Sequence, residues 1–97
     1  MVYNVFISHS TGDRVKAEDV CRSLESAGFS CWLASRDVQP GSEWAESIIN
    51  AIDNCKVFVL LLSHEANQSN HVTREVERAV DKGLVIIPLR IEEVKPV

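Results

Sequence analysis

The 97-residue sequence lacks most of the patterns by which a short chain advertises a bound group, a membrane or a nucleic acid. It has no GxGxxG and no GxxxxGK[ST], so neither a dinucleotide redox fingerprint nor a P-loop is supported. The three cysteines, Cys21, Cys31 and Cys55, show no CxxC spacing. An odd number of them in core-like segments implies reduced, buried thiols rather than a disulfide framework. His9, His64 and His71 lack the spacing of a helical metal pair, and no metal site is expected. The longest uninterrupted apolar run, Val57 to Leu62, is too short to span a bilayer, and no basic-then-apolar leader opens the chain. The expectation is a cytoplasmic location and no membrane partner. A formal charge of -4, with Lys and Arg scattered, argues against a nucleic-acid groove. What is present, 45% apolar and 25% charged residues, is ordinary for a globular chain, and the length allows at most one domain.

Apolar periodicity alternates between two types. Tyr3 to Ser8 is rich in β-branched and aromatic residues and runs into the polar His9-Ser10-Thr11-Gly12, which reads as a strand entering a loop. From Asp13 to Ala27 the apolar positions Ala17, Val20, Cys21, Leu24 and Ala27 step by three and four, and Gly28 follows as a stop; this spacing predicts a helix. Phe29 to Ala34 fits a second strand, and Ser35 to Gly41 reads as a charged loop ending in a Pro-Gly turn. Ser42 caps a predicted helix with Trp44, Ile48, Ala51 and Ile52 on its buried stripe. Lys56 to Leu62 is apolar without alternation, as expected of a strand covered on both faces, and ends in Ser63-His64. A polar connection over Glu65 to Gln68 leads to a helix capped by Ser69 or Asn70 and running to about Lys82, with Gly83 as its stop. Leu84 to Ile91 is a second apolar run, interrupted by Pro88.

On the Ser69 helix, Val72, Val76, Ala79 and Val80 share an apolar face, and Glu75 falls at its border with His71 one turn before it. Such a carboxylate either lines a cleft or sits at the surface paired with Arg78 or His71, a pairing worth only about 0.2–0.5 kcal/mol. Strands alternating with helices predict an α/β fold, a parallel sheet with helices on both faces, four strands and three helices in this chain. The last predicted strand has nothing after it to cover its edge, so the domain, 1-97, is expected to continue past Val97.

Three stretches together resemble the Toll/interleukin receptor (TIR) domains. Tyr3-Asn4-Val5-Phe6-Ile7-Ser8-His9 is similar to the family's first box. Arg36-Asp37-Val38-Gln39-Pro40-Gly41 matches the RDxxPG pattern of its BB loop. The apolar strand ending in Ser63, followed by Ser69-Asn70-His71-Val72-Thr73-Arg74-Glu75, resembles the helix opening usually written S-x-W-x-x-x-E, with His71 where the family usually has Trp. The Met1 start and short helices look most like bacterial members.

The resemblance implies a flavodoxin-like sheet with its crevice between the first and third strands. It also implies an NAD+ hydrolase, or nucleosidase/cyclase, that cleaves the nicotinamide–ribose bond when TIR domains assemble in immune or antiviral signalling. The alternative it carries is a non-catalytic TIR–TIR interaction module. Glu75 takes the catalytic position; Ser8, His9, Ser10, Trp44 and His71 are candidate substrate contacts; Arg36, Asp37, Pro40 and Gly41 form the BB-loop interface. NAD+ enters as substrate, with no separate cofactor, and the implied partners are other TIR domains in a homo-oligomer or filament. Trp44 also reads as a core anchor by its spacing with Ile48, and Arg36 and Asp37 as an exposed ion pair.

Overall fold

A computed structural model of the chain describes residues 3–37 and 44–91. Its elements are β1 (Tyr3–Ser8), a 3-10 turn (Thr11–Asp13) running into α1 (Arg14–Ser26), β2 (Cys31–Leu33), α2 (Ala34–Asp37), α3 (Trp44–Asp53), β3 (Cys55–Leu62), α4 (His64–Asn67), α5 (Asn70–Asp81) and β4 (Val85–Arg90). The four strands and the three long helices fall where the periodicity predicts them. Two single-turn helices, α2 and α4, occupy segments that read as loops. Each is closed by one side chain. Asp37 Oδ2 accepts the Leu33 amide at 2.8 Å, and Ser63 Oγ accepts the Ala66 amide at 3.0 Å, so a backbone group beside each turn finds a local partner.

Helices α1 and α5 end alike. Gly28 and Gly83 take positive φ, 96° and 72°, and the next amide reaches back to the last turn, Phe29 to the Leu24 carbonyl and Leu84 to that of Ala79, each at 3.1 Å. A residue with a Cβ would be strained in that left-handed position, which is why glycine marks both stops.

The strands form one parallel sheet in the order β2-β1-β3-β4. Register places Phe6 beside Trp32 on one side and Phe58 on the other. Their rings stack in a row across three strands, with centroids 5.1 and 5.3 Å apart. This row faces Ile48, Ala51, Ile52 and Ala79, so α3 and α5 cover one side of the sheet. Val5, Ile7, Leu33, Val59 and Leu61 face the other side, where α1 packs Ala17 and Cys21 against them. All three cysteines are buried free thiols. Burial pushes Cys31 up to about 12 and Cys55 up to about 11.

Two expectations need correction. The α5 stripe does not include Val80, which is 60% exposed; the helix instead buries Val72, Glu75 and Ala79. At about 100° per residue, Val80 stands about 100° from Ala79 and Glu75 only about 40° from it. The face is centred on Ala79 because that residue packs into the aromatic cluster, and the carboxylate is therefore inside the face rather than on its border. β4 differs from its apolar reading as well. Val85, Ile87 and Leu89 are exposed, because β4 is the outer strand and, among the described residues, no helix covers that side of it. Pro88 pairs with Leu60 at this edge, where a missing amide costs least.

Candidate active site

Adjacent β1 and β3, with β2 and β4 outside them, put the reversal of strand order at their carboxyl ends, the position where open α/β sheets hold ligands. A cavity of about 450 Å³ opens there, lined by Ile7, His9, Thr11, Arg14, Ala34, Ile48, His71 and Glu75. Three of the residues singled out from sequence, His9, His71 and Glu75, meet in it from segments more than sixty residues apart in number.

Helix α5 delivers two of them. Ser69 caps it, its hydroxyl oxygen accepting the Val72 amide at 3.3 Å, so the capping residue is Ser69 rather than Asn70. His71 Nε2 lies 3.1 Å from the His9 carbonyl oxygen and Nδ1 lies 3.0 Å from Ser69 Oγ. A carbonyl only accepts, so Nε2 carries hydrogen and, in the neutral ring, Nδ1 accepts from Ser69. His71 thus ties the start of α5 to the loop after β1. His9 is held in turn: its Nδ1 donates to the Ser10 carbonyl at 2.6 Å.

Glu75 is 7% exposed, and the Ser8 hydroxyl donates to its Oε1 at 2.6 Å. Burial raises its pKa above the ordinary carboxylate value, while the Ser8 hydrogen bond and the charge of a protonated His71 pull it down. The surface pairing that the spacing allowed does not form with Arg78. That guanidinium makes two hydrogen bonds to Asp53, Nε to Oδ1 at 2.9 Å and Nη2 to Oδ2 at 2.7 Å.

Ser8 and Ser10 are both buried, and neither lines the cavity. Ser10 Oγ donates to Asp13 Oδ2 at 2.7 Å, and Ser63 donates to the same oxygen, which joins the loops after β1 and β3 through one carboxylate. Glu65 adds a second join, its Oε2 accepting the Gly12 amide at 2.6 Å. A Cβ on Gly12 would crowd that carboxylate, so the glycine permits the approach. Arg36 is bonded within the chain, to Asp37 Oδ1, Glu25 Oε1 and the Cys31 carbonyl, each at 2.9 Å. Pro40, Gly41 and the side chain of Trp44 lie outside the described residues.

Sequence reasoning did not single out Arg14, Thr11, Ala34 or Ile48 as lining residues, nor Asp13 and Glu65 as the polar joins. Arg14 carries one legible signal, a cation at the first position of the helix that follows the β1 loop. The Asp13 and Glu65 joins reach 50 and 53 residues along the chain and leave no local trace.

Among the described residues no helix is long and apolar enough to cross a membrane. Comparison with known proteins returns one family: the TIR domain profile matches residues 5–97. The chain is 32% identical over 100 residues to the stimulator of interferon genes protein of Magallana gigas, covering 97% of this chain and 24% of that one. It is also 32% identical over 96 residues to a probable 2' cyclic ADP-D-ribose synthase of Brachypodium distachyon, covering 97% of this chain and 42% of the relative. It therefore spans less than half the length of either curated relative. The crystal structure of the TIR domain of a Toll-related receptor from Hydra magnipapillata superposes with a TM-score of 0.88 at 25% identity, covering 97% of this chain and 74% of that one. These relatives are metazoan and plant, so the expected bacterial affinity gains no support. With the profile covering nearly all of the sequence and the sheet order and helices matching a solved member, the chain belongs to the TIR domain family.

Proposed function

We propose that this domain cleaves NAD+ at the nicotinamide–ribose bond, with Glu75 as the catalytic carboxylate. The observation that supports the reading is a buried glutamate lining the cavity at the sheet's switch point, bonded to a hydroxyl and, among the described residues, not to a lysine or arginine. Breaking the bond builds positive charge on the ribose as neutral nicotinamide departs, and a fixed anion beside that charge lowers the barrier. Nicotinamide leaves readily, so one carboxylate suffices where ordinary glycosidases use two. Water then attacks the ribose carbon and loses a proton, giving ADP-ribose; a hydroxyl or adenine nitrogen of the same molecule attacking instead gives a cyclic product. The name of the Brachypodium distachyon relative, a probable 2' cyclic ADP-D-ribose synthase, supports chemistry of this class. Activity depends on assembly with other TIR domains, through the segment containing Arg36, Asp37, Pro40 and Gly41.

A second reading, a non-catalytic TIR–TIR interaction module, is favoured by the Toll-related receptor origin of the Hydra magnipapillata domain. Incubating the full protein with NAD+ over a range of protein concentrations and measuring released nicotinamide separates the two. Cleavage predicts release that rises faster than protein concentration and falls by about 10²–10³ in a folded Glu75→Ala variant. Undiminished release from that variant overturns the assignment, and a silent, assembled wild type leaves the interaction reading standing.

A further inference from the structure

The Ser8 hydroxyl belongs to a residue only 1% exposed, and its one proton is committed to Glu75 Oε1. A hydroxyl has a single hydrogen to give, so while this bond stands Ser8 donates nothing to a bound molecule. Its contribution must pass through the carboxylate. β1 is a central strand, paired with β2 through Ile7 and with β3 through Ser8, so the hydroxyl stands on backbone held in the sheet rather than on a loop. The oxygen it engages is Oε1, and the oxygen it does not engage is Oε2.

We propose that Ser8 is a positioning residue for Glu75, holding Oε1 so that Oε2 is the oxygen presented to the cavity, with the donated hydrogen bond favouring the carboxylate form. The inference rests on the reading of Glu75 as the catalytic carboxylate and adds the residue that orients it. The environment explains why such a hold is needed. Across the cavity stand His9 and Arg14, and on α5 itself stand His71 and Arg74; the side of α3 that meets Glu75 contributes isoleucine. Arg78 is spent on Asp53, and Asp13 and Glu65 on the loop joins. Desolvation works toward the neutral acid; the Ser8 hydrogen bond opposes it first, and the charge of His71 second.

The test is a pH titration of the Glu75 carboxyl carbon by NMR, in the full protein with labelled glutamate, alongside the pH dependence of NAD+ cleavage. Ser8→Ala is expected to raise the midpoint by about one to two units, since a hydrogen bond to a charged group is lost. The acid limb of kcat moves up with it while KM for NAD+ holds. Ser8→Thr, which keeps the hydroxyl, restores both. Should Ser8→Ala fail to fold, Ser8→Cys keeps the volume with a weaker donor and is expected to shift the midpoint in the same direction. A merely structural serine would lower the melting temperature without moving the carboxyl. The titration needs no NAD+, so failure of the cleavage reading shows as a silent wild-type assay, whereas failure of this inference shows as an unmoved carboxyl in Ser8→Ala or Ser8→Cys.

Discussion

Asp53 and Glu75 both answer to α5, yet one is treated as a surface anion and the other as an interior one. Asp53, at the end of α3, meets the Arg78 guanidinium through two hydrogen bonds, with Lys82 3.9 Å away, and these cations lower its pKa. Glu75 stands one turn before Arg78 on the same helix and meets the Ser8 hydroxyl, and burial raises its pKa. The two sites differ in where the cation goes. Arg78 has Glu75 one turn back on its own helix and Asp53 at the end of α3, and it is drawn outward to Asp53, which keeps contact with water. Pairing it inward would have cost the desolvation of both charges, which their attraction does not reliably return. The inward carboxylate is thereby left high in energy, and such a group is suited to stabilising developing positive charge.

Three substitutions separate the two carboxylates. Glu75→Gln comes first. Because the folded pKa of Glu75 is raised, the folded state holds a proton that the unfolded chain has already lost, so stability falls as pH rises from the ordinary carboxylate range through the raised value. Above that range the glutamine variant should be more stable than wild type by about 1.4 kcal/mol for each unit that burial moves the carboxyl, less what the altered Ser8 contact costs. Chemical denaturation at several pH values reads this directly, and a variant less stable at every pH would reverse the account.

Ser69→Ala comes next. It removes the cap of the helix that carries Glu75 and Arg78, and the partner of His71 Nδ1 as well. A loss of about 0.5–2 kcal/mol is expected, measured as a lower denaturation midpoint at unchanged slope. Asp53→Asn is the smallest, about 0.2–1 kcal/mol for a half-exposed pair. Its sign is opposite to that of Glu75. A depressed pKa contributes stability above the unfolded value and loses it as pH falls through the folded one, so the variant should show a shallower acid decline than wild type. If both substitutions tilted the pH curve the same way, the contrast would collapse.

What could be read from the sequence follows the range of the interaction involved. A cap at Ser69 or Asn70 is legible because it is decided within four residues, though the choice of Ser69 needs the structure, and the stops at Gly28 and Gly83 are legible because a left-handed turn follows each helix directly. The strands are legible through their apolar runs. The exact centre of the α5 face is not, because it depends on Ala79 joining the core cluster of Ile52 and Phe58, which belong to other elements. That misplacement put Val80 inside and Glu75 on the border. Within the candidate site, His9, His71 and Glu75 were named from motifs and do share the cavity. Ser8 and Ser10 were named as contacts for a ligand, yet their hydroxyls are turned to Glu75 and Asp13. A serine at the end of a strand looks the same in sequence whether its proton is free or spent, and the partner here is 67 residues away.

The three buried thiols carry a practical consequence. Cys21 and Cys31 belong to the side of the sheet covered by α1, and Cys55 to the side covered by α3 and α5. All three are held in the protonated, poorly nucleophilic form by burial, so an aqueous thiol reagent must wait for the chain to open. Labelling identified residue by residue therefore works as a pair of stopwatches on the two halves of the core, and reports whether the layer that carries Glu75 opens on its own or only when the whole domain does.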